Sequence, residues 1–278
     1  MVKYLPDAGT TPMSSTTLRS GHPSAAGNAA AAARLENPRA SAPAALSVLA
    51  KLPSLRQLPF FAGVPEELLL PLATRCRWQT CAQGEVVVDS GDASSEVFFV
   101  AEGAVRVVVR TALGYEAILN DLGAGSFFGE LAAIDGVARS ANVTALQRTR
   151  LCAVPGAAFM DIVLASPAAG QRLMRMLAGR VRAKDERLLE FMALPVRQRL
   201  MAELLRLSRD RGGGERALSP PPQQHVLAAR IGTRRETVSR ELAEMARAHL
   251  ITVGRRAIVL HRPEALQAEI EGRLRGPS

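Results

Sequence analysis

Apolar and polar positions change their period twice along the chain, and the changes separate three kinds of segment. From Leu46 to about Leu72 the apolar positions Leu49, Leu52, Leu55, Leu58, Phe60 and Phe61 are broken by Pro53, Pro59 and Pro65. Proline lacks an amide donor and its ring crowds the preceding turn, so this spacing predicts several short helices. Between residues 77 and 155 come short runs rich in valine, phenylalanine and alanine, at 85–88, 96–100, 104–110, 117–120, 142–145 and 150–154. Turn signals fall between or beside them at Gly84, Gly91, Gly103, Gly114, Gly123, Gly125, Gly129 and Gly136. Many short strands at such spacing predict a compact antiparallel barrel or jelly roll.

Helical spacing returns at residues 166–194, where Leu173, Leu177, Val181, Leu188 and Phe191 recur and Lys184 fills the step between Val181 and Leu188. This predicts one long helix with an apolar stripe. A stripe of this kind serves either core packing or pairing with a second copy of the helix; its place between two compact units favours the second. After Pro195 the pattern predicts a helix at 196–207, a Gly/Pro-rich loop at 211–222, short helices at 224–230 and 234–248, and a hairpin of 251–253 with 257–260 around Gly254-Arg255-Arg256. Residues 1–45 are dominated by Ala, Ser, Thr, Pro and Gly and carry too little apolar bulk to offset the entropy of ordering, which predicts a disordered tail. A transit peptide is the alternative for a stretch so poor in acids, and translation starting at Met13 is another.

Composition adds a direction to this layout. The chain has 278 residues, 47% of them hydrophobic, enough for two buried cores, and a net charge of +9. Residues 1–165 hold 13 basic and 14 acidic side chains, 166–195 hold 6 and 3, and 196–278 hold 16 and 9. Every basic residue from 196 onward is arginine, whose fork suits phosphate and guanine. A local excess of this kind is the footprint of a nucleic-acid surface, although a solvated basic face accounts for charge alone equally well. No apolar run reaches the roughly 18 residues of a membrane span, and no hydrophobic signal segment opens the chain, so a cytoplasmic protein without membrane attachment is expected. The three cysteines, Cys76, Cys81 and Cys152, are too few for a disulfide framework or for the four thiolates of an iron–sulfur cluster. With His225, His249 and His261 all in the last third, no metal site is expected. A catalytic loop is also lacking, so the chain is not expected to be an enzyme.

The segment from Val226 to Leu242 fits a helix-turn-helix. Ala228 and Ala229 permit close helix approach, Gly232 supplies the turn and Thr233 can cap the second helix. Leu227, Ile231, Val238 and Leu242 would form the seam, leaving Arg235, Glu236, Ser239 and Arg240 outside. Arg donates to guanine O6 and N7 and Glu accepts from the cytosine amino group, so half-sites rich in G·C are expected. An ordinary charged helix with a Glu236–Arg240 ion pair is the competing reading.

The string Gly232-Thr233-Arg234-Arg235-Glu236-Thr237-Val238-Ser239-Arg240 closely resembles the recognition region of the Crp/Fnr regulators, the family of the cyclic-AMP receptor protein. The resemblance extends from about Leu52 to Leu260. It implies that Thr233, Arg234, Arg235, Glu236, Ser239 and Arg240 face DNA, that Arg235, Glu236 and Arg240 read bases, and that the 251–260 hairpin is the wing. Val226 departs from the acidic residue common at that position. The fold implied is α+β: an N-terminal cyclic-nucleotide-binding jelly-roll barrel, a long dimerisation helix and a C-terminal winged helix-turn-helix. The corresponding divisions are a tail at 1–45, the sensor barrel at 46–165, the dimerisation helix at 166–195, the winged helix-turn-helix at 196–265 and a C-terminal tail at 266–278.

A second constellation, Gly125-Ser126-Phe127-Phe128-Gly129-Glu130-Leu131-Ala132 followed by Arg139-Ser140-Ala141, supplies a glycine-rich turn with backbone N–H groups and a nearby Arg and hydroxyl, the parts of an anion cradle. An Arg–Glu salt bridge inside a turn is the plainer alternative. The string is similar to the phosphate-binding cassette of cyclic-nucleotide-binding domains. That resemblance implies that Phe128, Gly129, Glu130, Leu131, Ala132, Arg139 and Ser140 line the ligand site, with Gly129 and Ala132 giving backbone contacts, Glu130 holding the ribose hydroxyl and Arg139 with Ser140 taking the cyclic phosphate. Where the cyclic-AMP receptor has hydroxyl-bearing residues that contact adenine, this chain has Lys184 and Asp185. Asp185 can accept from guanine N1–H and N2–H while Lys184 donates to O6, which makes cyclic GMP a candidate beside cyclic AMP. The expected partners are double-stranded DNA, a second copy of the chain and RNA polymerase. The alternative is a regulator of the same family that ignores nucleotides, acting constitutively or through a thiol switch of Cys76 with Cys81.

Overall fold

The computed structural model describes residues 54–111 and 115–275. The expected tail at 1–45 and the Met13 start lie outside the described residues. A 3-10 turn at Pro59–Phe61 and helix α1 (Glu66–Arg75) lead into two antiparallel sheets. One has the order β1 (Arg77–Cys81), β8 (Thr149–Val154), β3 (Val97–Glu102), β6 (Phe127–Phe128). The other has β2 (Val86–Val88), β7 (Asn142–Ala145), β4 (Ala104–Arg110), β5 (Glu116–Gly123). Apart from the β4–β5 hairpin, consecutive strands sit in opposite sheets, which gives the expected jelly roll.

Strand β3 explains why the sequence there is apolar without alternation. Val97 and Phe99 face one way, into a cluster with Phe60, Phe61, Phe127 and Phe159, while Phe98 and Val100 face the other, against Val105, Phe128 and Leu151. A strand covered on both faces needs apolar residues at every position. The outer cover is the N-terminal helical segment together with α3 (Gly156–Ala165). Phe60 lies 4.9 Å from Phe127 edge to face and 5.3 Å from Phe159, so these rings clamp the helices to the sheet that carries the cassette.

Helix α4 (Pro167–Ala193) follows at once, 27 residues long. Ser166 caps it by accepting from the Ala169 amide, and Pro167 stands at its first turn, where a missing N–H costs nothing. Ala169 and Leu173 are buried against the barrel and Leu177 is half-buried. Beyond them the stripe is uncovered: Val181, Leu188 and Phe191 are exposed, as are Met174 and Met192.

The last third folds around α5 (Val196–Leu207), α6 (Gln224–Ile231) and α7 (Arg235–Arg247), with a sheet ordered β11 (Ile251–Val253), β12 (Ile258–Leu260), β10 (Glu215–Leu218), β9 (Arg209–Gly212). The expected seam forms: Leu227, Ile231, Val238 and Leu242 are all buried. Several stretches differ from expectation. The span expected as a loop at 211–222 contains most of the β9–β10 hairpin, which turns at Gly212, Gly213 and Gly214, each with positive φ. Its strands are polar because only Leu218 is buried, so pairing with β12 rather than an apolar pattern makes them strands. The residues expected as a tail after 265 belong to helix α8 (Pro263–Arg275). Leu266 and Ile270, one turn apart, are buried in the same core as α5, and Gln198 Nε2 donates to Glu269 Oε1 at 2.9 Å. The strand β1 was also absent from the predicted set; it is an edge strand in which only Cys81 is buried, so its pattern is faint.

Candidate functional sites

The cassette is built on a strand end. Strand β6 pairs with β3, setting Phe98 opposite Phe128 with their rings stacked at 5.2 Å. The chain then turns through Gly129, at φ 86°, into the short helix α2 (Glu130–Asp135). A side chain at Gly129 meets two obstacles: a Cβ there would lie 2.5 Å from Arg139 Nη1 and 2.7 Å from the Glu96 carbonyl oxygen. Glycine is required for both conformation and room.

Arg139 fills the space thus kept open, and its side chain is only 3% exposed. Its Nε donates to Ser94 Oγ at 3.0 Å, Nη1 to the Gly129 carbonyl at 3.0 Å and Nη2 to the Glu96 carbonyl at 2.7 Å. The nearest carboxylate, Glu96, stands 4.0 Å away. The arginine is therefore held by neutral oxygens, with its charge incompletely matched. Burial pulls the guanidinium below its usual pKa, an effect that Glu96, Asp92 and Glu130 oppose. Backbone bonds pin the same residue: Arg139 N donates to Asp92 O at 2.9 Å and Gly91 N donates to Arg139 O at 2.8 Å.

Glu130 is buried as well. Its Oε1 accepts from Arg180 Nη1 at 2.5 Å, and its Oε2 is buried without a hydrogen-bond partner. An unmatched buried carboxylate oxygen beside a buried, incompletely neutralised guanidinium is the donor and acceptor set that a sugar hydroxyl and a phosphate would complete. The salt bridge weighed as the plain reading of the turn is not what forms: Arg139 binds backbone and serine, and Glu130 binds an arginine from another element. Ser140 is exposed beside Arg139, Leu131 is exposed, and Ala132 and Phe128 are buried.

Arg180 is the residue that the sequence reading missed. It projects from α4 and also donates through Nη2 to the Phe127 carbonyl at 2.8 Å, tying the long helix to both ends of the glycine turn. Lys184 and Asp185 themselves are exposed, and neither side chain makes a hydrogen bond or ion pair among the described residues. Within one chain the fold brings Phe128, Gly129, Glu130, Ala132 and Arg139 together, while the Lys184 and Asp185 side chains are exposed.

The second site is the outer face of α7. Gly232, at φ 63°, ends α6 and sits so close to the long helix that a Cβ would lie 2.8 Å from the Phe191 ring. The helix begins differently from expectation: Arg234, not Thr233, is its N-cap, and no side chain caps it. Arg234, Arg235, Glu236, Ser239 and Arg240 are exposed and Thr233 is half-buried. The anticipated Glu236–Arg240 ion pair is absent among the described residues; Arg240 instead approaches Glu241 at 4.0 Å. The face is left open for a ligand of its own.

Comparison with known proteins matches the two domains that carry these sites. Residues 78–166 match the family model of the cyclic nucleotide-binding domain, and residues 198–269 match that of the Crp-like helix-turn-helix domain. The chain is 34% identical over 199 residues to the cyclic AMP receptor protein of Thermus thermophilus, covering 70% of this chain and 89% of that one. It is 25% identical over 209 residues to the CRP-like cAMP-activated global transcriptional regulator of Mycobacterium tuberculosis, covering 74% and 93%. Among solved structures, a CRP/FNR-family transcriptional regulator from Thermus thermophilus matches with a TM-score of 0.58 at 25% identity, over 71% of this chain and 100% of that chain. A putative transcriptional regulator of the same family from Eubacterium rectale shares the fold at a TM-score of 0.63 and 16% identity, over 78% and 99%. With a cyclic-nucleotide-binding domain joined to a Crp-like reading head, the chain belongs to the Crp/Fnr family of DNA-binding transcription regulators.

Proposed function

We propose that this regulator binds a palindromic operator as a homodimer and that a cyclic nucleotide, cyclic AMP or cyclic GMP, controls the binding. The observation that carries the reading is that a buried Arg139, held by neutral oxygens, lies near a buried Glu130 whose Oε2 lacks a partner. Arg139 and Ser140 take the cyclic phosphate, Glu130 takes the ribose hydroxyl, and Phe128, Gly129, Leu131 and Ala132 shape the wall. Lys184 and Asp185 face the base from the long helix. Thr233, Arg234, Arg235, Glu236, Ser239 and Arg240 meet the DNA, and RNA polymerase is the partner that such a DNA-bound regulator serves. The divisions proposed are a tail at 1–45, the sensor barrel at 46–165, the dimerisation helix at 166–195 and the winged helix-turn-helix from 196, with α8 added to it.

The test is direct. Duplexes are selected from a random pool by the full chain in the presence of cyclic AMP or cyclic GMP, and affinity for the selected duplex is measured with each nucleotide and with none. The reading expects one nucleotide to tighten binding by about 5–150-fold, the usual span of coupling between sites. Equal affinity in all three conditions favours the regulator that ignores nucleotides. A thiol switch draws little support, since Cys76 and Cys81 are buried and burial, with Glu85 nearby, pushes the Cys81 thiol up, away from the reactive thiolate.

Dimerisation is supported by the uncovered stripe. Met174, Val181 and Leu188 are exposed and spaced by seven, the repeat of a paired-helix seam, with Leu177, Lys184 and Phe191 three residues after each. Leu188→Glu would bury a charge in that seam and is expected to weaken self-association by at least about tenfold, or about 1.4 kcal/mol. Sedimentation at micromolar concentration checks it, and an unchanged dimer would place the interface elsewhere.

A further inference from the structure

A cluster of charged side chains lies where the barrel, the long helix and the reading head meet. Asp121 on β5 is held by both Nε and Nη2 of Arg106 on β4, each at 2.8 Å. Asp121 also accepts from Nη2 of Arg230, in the last turn of α6. Arg230 is 6% exposed, and its Nη1 donates to Glu203 Oε1 on α5 at 3.2 Å. Glu203 is fully buried and pairs further with Arg187 of α4 and Arg206 of α5, and Arg206 extends the chain of contacts to Glu190 of α4. Arg187 Nη1 donates in addition to the Arg230 carbonyl at 3.4 Å.

Two routes from the cassette end in this cluster. Strand β5 carries Asp121 and runs through Gly123 into the turn that precedes Gly129 and Glu130. Helix α4 carries Arg180, which holds Glu130, and seven residues later Arg187, which holds Glu203. On the far side, α6 is locked to α7 through Leu227, Ile231, Val238 and Leu242, so a rotation of α6 carries the recognition helix with it. Arginine forks and carboxylates pair along fixed directions, and a buried carboxylate stripped of a partner is left uncompensated, so the cluster favours particular placements of the head over a continuum.

We propose that Asp121, Arg230 and Glu203 form an ionic joint through which the sensor sets the orientation of the recognition helix. The role rests on the reading of the barrel as a nucleotide sensor.

The experiment uses full-length Asp121→Asn and Arg230→Gln, singly and combined. Both substitutions preserve shape, and both leave Glu203 paired with Arg187 and Arg206. Affinity for a duplex selected by the wild-type protein is measured with and without cyclic AMP and cyclic GMP, and nucleotide affinity is measured separately by calorimetry. The gain in DNA affinity brought by nucleotide, about 5–150-fold in ordinary allosteric coupling, is expected to fall to within about twofold of none in each variant. Nucleotide affinity itself should stay within about twofold of wild type, and the double variant should lose no more than either single one. A gain that survives in the single variants overturns the joint. If the wild-type protein gains nothing from either nucleotide, the sensor reading fails, and amide exchange then decides the joint. Faster exchange of β5 in Arg230→Gln and of α6 in Asp121→Asn supports a mechanical connection; changes confined to the mutated element overturn it.

Discussion

Arg139→Ala is expected to abolish detectable nucleotide binding by the barrel. Of the five N–H groups of this guanidinium, three already bond to Ser94, Gly129 and Glu96, which orients the remaining two and leaves the positive charge without a close carboxylate. A cyclic phosphate would supply the missing anion in a setting where water is largely excluded. Removing one side of a buried hydrogen-bonded charge pair costs about 2–5 kcal/mol, which is roughly 30-fold to several thousandfold in affinity. Arg139→Lys keeps the charge but not the fork, and should fall between the alanine variant and wild type. Calorimetry with cyclic AMP and cyclic GMP reads the effect. The fluorescence of Trp78, the single tryptophan, on strand β1, reports whether the barrel has folded. Wild-type affinity in a folded Arg139→Ala protein would remove the phosphate role from this residue.

Arg235→Ala is expected to remove sequence-specific DNA binding while leaving weak, salt-sensitive binding. Arg235 opens α7 on its exposed face and has no ion-pair partner among the described residues, so its fork is available to guanine O6 and N7. A good contact of this kind discriminates by about 1–3 kcal/mol per base pair, and a two-fold operator would lose it twice. The remaining arginines of the head still neutralise phosphates, and that part of the affinity falls with salt in proportion to the contacts made. Anisotropy titrations against the selected duplex and a scrambled one, at two salt concentrations, separate the terms. The selected duplex should lose its advantage over the scrambled one; an advantage retained in full would assign base reading to Glu236 or Arg240 instead.

Much of the reading head was legible because its signals are local. Gly232, the alanines before it and the four seam residues act over a single turn-linked pair of helices, where spacing alone decides which side chains meet. The cassette was legible for the same reason at Gly129, where one backbone conformation and one crowded approach admit glycine only. Arg180 was not, since its partner Glu130 lies fifty residues earlier and nothing in the spacing of α4 distinguishes a buried ion pair from an exposed arginine. Strands β9 and β10 and helix α8 escaped through weak patterns: the strands bury only Leu218 and the helix only Leu266 and Ile270, so each is committed by a few contacts with β12 or α5.

By itself, then, the sequence determined the strand-rich middle, the long helix, the helix-turn-helix and the glycine turns, which follow from spacing within a dozen or so residues. Tertiary structure alone decided that Arg139 leans on neutral oxygens rather than on Glu130, and that Arg180 is the partner Glu130 takes. It also decided that Asp121, Arg230 and Glu203 meet at all. The physical reason is common to these cases. A charged side chain can satisfy itself with any oxygen or carboxylate brought near it, and which one arrives depends on how two sheets and three helices pack rather than on the neighbours in the chain.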